Sequence, residues 1–177
     1  MADPTPANTT AIEAILAEAD RIEEDTLFSA KGQWETAREC GWVHLALGIP
    51  ATIAAAVAGV SVVSEHKELA VVLAVLSAIL SGLLTFLDPK GRASSHCQAG
   101  NAYKAVSNDA RLFREVTCRE TTNLTQLRKM LEKLNRRRNS LNSKSPQPTR
   151  TAFTRARKGI EAGEAKYRAD SPSRLPG

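Results

Sequence analysis

A chain of 177 residues with 42% hydrophobic side chains and a formal net charge of +5 leaves room for one domain at most and, by bulk numbers alone, resembles a soluble protein. Its three cysteines (Cys40, Cys97, Cys118) and three histidines (His44, His66, His96) are dispersed, and nothing in their spacing argues for a disulfide framework or a zinc site. No phosphate-cradling glycine loop, nucleophile elbow or paired metal ligand is present, so neither catalysis nor a bound cofactor is expected.

Charge and hydropathy are unevenly distributed. Residues 1–41 carry three basic and nine acidic side chains, residues 42–87 one and two, and residues 88–177 twenty and eight, giving segment charges of −6, −1 and +12. A basic tail beside an apolar segment points to anionic lipid or to the chain's own acidic segment, and nucleic acid is not the partner expected.

The N-terminal stretch 1–9 is expected to be disordered. Thr10 and Glu13 then form a capping-box pair, and Ile12, Ile15, Leu16, Ala19 and Ile22 follow at helical spacing. An acidic amphipathic helix is therefore expected over 10–41, with a bend near Ser29–Gly32, where its register weakens. No basic n-region with a short apolar core precedes residue 40, so the later apolar segment is expected to direct insertion itself.

Residues 42–63 contain no formal charge, and 69–87 are likewise uncharged. At 1.5 Å per residue each is long enough for a hydrocarbon core that needs about 20 apolar residues. Both are apolar on every face, unlike a soluble amphipathic helix, so two transmembrane helices are expected. The connecting residues 64–68 allow only an antiparallel turn. Lys31, Arg38, Lys90 and Arg92 flank the spans on the outside and Lys67 alone lies in the turn, which predicts that both termini face the cytoplasm.

Small residues recur at four-residue spacing: Ala51, Ala55 and Gly59 on the first span, and Ala70, Ala74, Ala78 and Gly82 on the second. Such stripes let another backbone approach closely. Ser77, Ser81 and Thr85 form a parallel hydroxyl stripe that either bonds back within its helix or lines a pore. Pro50 cannot donate its backbone bond and is expected to kink the first span.

After Asp88 and Pro89, positions 96, 99, 103, 106, 110, 113, 117, 120, 124, 127, 131, 134, 138 and 141 alternate by three and four and are mostly apolar. One long heptad helix over 88–143 is expected, with His96, Thr117, Glu120 and Arg138 as polar interruptions of its seam. The seam has two available partners, the acidic first helix and the same seam in neighbouring subunits, so a homo-oligomer is expected. His96, Asn101 and Tyr103, which follow the second span, are candidates for coupling a signal to it. Arg136, Arg137 and Arg138 form a candidate contact for anions or lipid headgroups. Pro146 and Pro148 break the chain within a linker over 144–149, a short helix over 150–170 follows, and 171–177 form a tail. The fold class is all-α: a transmembrane helical hairpin with long cytoplasmic helices in a coiled-coil-like bundle.

The run Gly48-Ile49-Pro50-Ala51, then Leu83-Leu84-Thr85-Phe86-Leu87-Asp88-Pro89, Arg92-Ala93, His96, Ala99-Gly100-Asn101 and Tyr103 resembles the SLATT domain. The stretch Ala156-Arg157-Lys158-Gly159-Ile160, Gly163-Glu164-Ala165, Tyr167 and Asp170 is similar to that family's terminal helix. The resemblance implies a small bacterial two-span membrane effector of anti-phage conflict systems, triggered by a nucleotide second messenger or a partner sensor protein. The function expected is therefore an oligomeric pore that depolarises or permeabilises the inner membrane. The alternatives are a non-conducting scaffold or sensor that recruits a partner enzyme, and a phage holin, against which the long heptad stretch argues.

Overall fold

A computed structural model of the protein describes residues 6–63 and 66–165. Its elements are α1 (Pro6–Val63), α2 (Lys67–Leu87), α3 (Pro89–Leu112), a π turn (Phe113–Thr117) running into the single turn α4 (Cys118–Glu120), α5 (Leu124–Lys144) and α6 (Arg150–Glu161). Among the described residues there is no strand, and the protein is all-α. Two compact units are present: Met1–Glu35 with Cys97–Gly177, and Thr36–His96. The expected tail 171–177, Tyr167 and Asp170, and Ser64 and Glu65 of the expected turn lie outside the described residues.

The first unit is built from the amphipathic pattern read above. α1 begins at Pro6, whose fixed φ suits the first helical position, so the Thr10–Glu13 pair lies inside a helix already under way instead of starting one. At Ser29–Gly32, where a bend is expected, the helical hydrogen-bonding pattern of α1 continues without interruption. Packing explains why: Ala30 is fully buried, and a Cβ added at Gly32 would lie 3.7 Å from the Phe153 ring and 3.8 Å from Pro148. These contacts offset the roughly 1 kcal/mol that a helical glycine costs.

The expectation of one heptad helix over 88–143 is corrected. The helix ends at Glu120, Thr121 is extended, and Asn123 starts α5 by accepting a hydrogen bond from the Gln126 amide at 3.2 Å. Just before the break, the π turn accommodates an extra residue, with the Cys118 amide bonding back to the Phe113 carbonyl. The chain then reverses. Tyr103 donates to Asn142 at 2.9 Å, and Asp109 pairs with Arg137, so α5 runs antiparallel to α3. A 3,4 spacing does not encode chain direction, and the two halves of the seam pack on each other within one molecule.

That packing makes the core. Ile15, Ala19 and Ile22 of α1, Val106, Ala110 and Phe113 at the end of α3, and Leu127 and Leu134 of α5 form one buried cluster, edged by Leu124, Met130, Leu131 and Leu141. Each large aliphatic side chain buried there contributes about 2 kcal/mol. Acidic α1 is tied to basic partners around this core: Asp20 and Glu23 to Arg114, Asp25 to Arg138 at 3.8 Å, and Glu35 to Arg155 at 3.5 Å. Burial pushes the Glu23 carboxyl above the usual carboxylate range, against the opposing pull of Arg114 and Arg111.

α6 is capped by Thr149, whose hydroxyl accepts from the Ala152 amide at 3.1 Å, and it buries Ala152 and Ala156. It stops at Glu161, short of the expected 170. The reason is Gly163, which adopts φ 91 while its amide and that of Glu164 bond back to the Ile160 and Gly159 carbonyls, a glycine-terminated helix end. Glu164 then pairs with Lys31 of α1 at 2.7 Å.

In the second unit, α2 closes at Asp88, a non-glycine residue at φ 40, and Pro89 opens α3. The Asp88 carboxylate accepts from the Gly91 amide at 3.1 Å, so one residue ends one helix and caps the next. α1 continues through Pro50 without a break in its helical assignment.

Candidate functional site: a polar groove beside an apolar helix pair

Within the second unit, α1 and α2 meet along faces defined by residue size. Ala51, Ala54, Ala58 and Ser61 are buried on α1 at alternating three- and four-residue spacing. α2 turns Ala70 and Ser77 toward them, and Leu84 reaches within 3.7 Å of where a Gly48 Cβ would stand. The Ser77 hydroxyl donates to the Ala51 carbonyl across the pair at 2.9 Å, a bond between helices worth roughly 0.6–2 kcal/mol in an apolar setting.

The outer surfaces are strongly apolar. Of the most apolar 18-residue window on each long helix, 17% and 6% respectively is buried. Ile49, Ile53, Val60, Val72, Val75, Ile79 and Phe86 are all exposed. A core helix of a soluble protein would bury most of such a window. Among the described residues, two helices are long and apolar enough to cross a membrane.

The small residues read from the sequence fall into two groups. Ala51 and Ala70 are buried in the helix pair; Ala55, Gly59, Ala74, Ala78 and Gly82 face outward, and a Cβ at Gly59 or Gly82 would touch nothing within 4 Å. Ala55 lines the groove described next, Gly59 and Ala74 line a shallow depression between the same helices, and all five are exposed to lipid or to another chain.

Beside the pair runs an open groove of about 710 Å³, lined by His44, Gly48, Thr52 and Ala55 from α1 and by Ser77, Ser81 and Leu84 from α2. The three hydroxyls of the expected polar stripe behave differently. Ser77 is spent on the Ala51 carbonyl, and Thr85 bonds back to the Ser81 carbonyl at 3.0 Å. The Ser81 hydroxyl has no protein partner and lines the groove, as does His44, whose Nδ1 is buried without a partner.

The other residues singled out in the sequence do not form one site. Asn101 accepts from the Trp34 indole at 3.1 Å, while Tyr103 is buried and reaches α5 through Asn142. Both join helices of the first unit. His96, in the second unit, is buried, and its imidazole is held below its ordinary pKa first by that burial and then by Arg92. The arginine cluster is divided as well. Arg137 pairs with Asp109 and Arg138 with Asp25 and Asn135, while Arg136 lies 3.9 Å from Glu132, so the three do not converge on one anion.

Two features were not singled out in the sequence. A Cβ at Gly100 would come within 2.6 Å of the Trp34 ring, so the glycine creates the space in which α1 and α3 touch. Gln33 donates to the Pro146 carbonyl at 2.7 Å and fixes the linker to α1. Among the described residues, no group of three His, Cys, Asp or Glu side chains is placed to hold a metal. Compared with known proteins, the chain matches no family model, no curated protein and no solved structure.

Proposed function

We propose that this chain is an oligomeric membrane effector of bacterial anti-phage defence, which inserts α1 and α2 in the inner membrane with both termini in the cytoplasm and opens a pore on an upstream signal. The observation that carries the membrane part is the exposure of both apolar windows, a contiguous apolar surface that hydrocarbon solvates and water does not. The effector role is supported by the resemblance of Gly48–Ala51, Leu83–Pro89 and Ala99–Tyr103 to the SLATT domain. The conducting path would use the groove side of the hairpin, where Ser81 and His44 hold unmet polar atoms in an otherwise apolar surface. The outward Ala55, Gly59, Ala74, Ala78 and Gly82 would give neighbouring subunits close approach. The trigger would be a nucleotide or a partner protein.

A second reading is favoured by a specific observation: two of the three hydroxyls in the polar stripe already have carbonyl partners, as they would in a non-conducting scaffold. Dye release from liposomes holding the purified protein, with and without added nucleotides, separates the two. The pore reading expects release that Ser81→Leu abolishes. Intact liposomes under every condition, with the protein shown to be inserted, would leave the scaffold.

A further inference from the structure

In the first unit the end of α5, the proline linker and α6 fold over α1 and α3, and between them lies a cavity of about 250 Å³. We propose that it is a receptor site for an uncharged, planar nitrogen heterocycle carrying a carbonyl or amide, about the size of nicotinamide. The site lies outside the helix pair and goes beyond the pore reading; it stands whether or not the chain conducts.

Three properties define the ligand. Size is the first: the volume is below the roughly 300–1,000 Å³ of sites for drug-sized ligands, so it admits a single ring system with one substituent. Shape is the second. The rings of Tyr103 and Phe153 line the cavity together with Pro146 and Pro148, giving flat apolar walls against which a planar ring can stack.

Polarity is the third and most selective. No Asp, Glu, Lys, Arg or His lines the cavity. The cations that flank lining residues in sequence, Lys104, Lys144 and Arg150, do not themselves line it. A charged ligand would give up part of its water without a lining counter-ion in return, which disfavours it against a neutral isostere. Hydrogen-bonding capacity is nevertheless present. The Asn142 carbonyl oxygen is occupied by the Tyr103 hydroxyl, which leaves its amide nitrogen with no protein partner, and the hydroxyls of Ser29 and Ser145 have none either. These groups match a ligand with a carbonyl acceptor and a ring nitrogen. The frame is fixed in advance: Gln33, only 2% exposed, donates to the Pro146 carbonyl and holds the linker wall in place.

The test is isothermal titration of the full chain in detergent micelles with nicotinamide, with uracil, and with nicotinate as the charged isostere of nicotinamide. Expected are saturable binding of nicotinamide and uracil and at least roughly tenfold weaker binding of nicotinate. Asn142→Leu should weaken nicotinamide by a similar factor. Phe153→Ala removes a wall from a ring that is 46% exposed, so it should leave the fold intact and also weaken binding, which keeps the test decisive if Asn142→Leu does not fold. The proposal is overturned if neither neutral probe binds at up to about 10 mM, if nicotinate binds as well as nicotinamide, or if Phe153→Ala binds unchanged.

Discussion

Replacing Leu127 by alanine tests whether the heptad seam is an internal core or a contact between subunits. Leu127 is fully buried among Ile15, Ile22, Phe113 and Leu134 of its own chain. Truncation removes apolar burial and leaves a cavity that flanking helices only partly close, at a cost of about 3 kcal/mol. At roughly 4 °C per kcal/mol for a unit of about a hundred residues, the melting temperature should fall by about 12 °C. Leu112→Ala is the control, since that side chain is 59% exposed and should shift melting by no more than about 2 °C. Trp34, wedged against Gly100, reports the unfolding of this unit by its fluorescence once the exposed Trp42 is replaced by phenylalanine. The internal assignment is refuted if Leu127→Ala melts like Leu112→Ala, or if it converts a larger assembly to folded monomer with melting unchanged.

Gly100→Val should force the Trp34 ring out of its place, because a Cβ there would sit 2.6 Å from the indole and 3.2 Å from the Ala30 carbonyl. The loss is about 2 kcal/mol, seen as a red shift of Trp34 emission with lowered melting. His96 has a depressed folded-state pKa, so its contribution is present above its unfolded value of about 6.5 and is lost as pH falls through the lower folded value. Melting should therefore drop between about pH 8 and pH 5, and His96→Leu should flatten that slope. Glu23 has the opposite sign: its raised pKa means that its contribution is present at low pH and lost as pH rises through the raised value. Glu23→Gln should thus gain stability relative to the parent at about pH 7 compared with about pH 4, read from denaturant midpoints at both.

How much was legible in the sequence depended on the range of each interaction. The two apolar helices could be read because composition alone marks them, and Pro89 signals the restart after Asp88 because its ring fixes φ and removes a donor. The buried faces of α3 and α5 could be read from their 3,4 spacing. The chain reversal between them could not, since the same spacing runs through Thr121–Asn123 and nothing periodic marks a change of direction. Asn123 with Gln126 three residues on was the missed local signal. Gly163 was another: read as part of a terminal helix, it ends one. Contacts that close over long sequence distances, Trp34 with Asn101 and Gln33 with Pro146, leave no local trace at all. The hydroxyl stripe was visible as a pattern, but which of Ser77, Ser81 and Thr85 finds a carbonyl depends on where α1 lies beside α2.

The central claim is that α1 and α2 cross a bilayer and return, and cysteine accessibility tests it most directly. Cys40, Cys97 and Cys118 are free, and Cys97 and His66 are both exposed. Two single-cysteine forms are compared in intact bacteria with a membrane-impermeant maleimide: His66→Cys in a background with the three native cysteines replaced by serine, and Cys97 alone. The account predicts that position 66 is labelled from outside while Cys97 is labelled only after the membrane is opened. Equal labelling of the two positions in intact cells, or recovery of the protein in the soluble fraction, would contradict it.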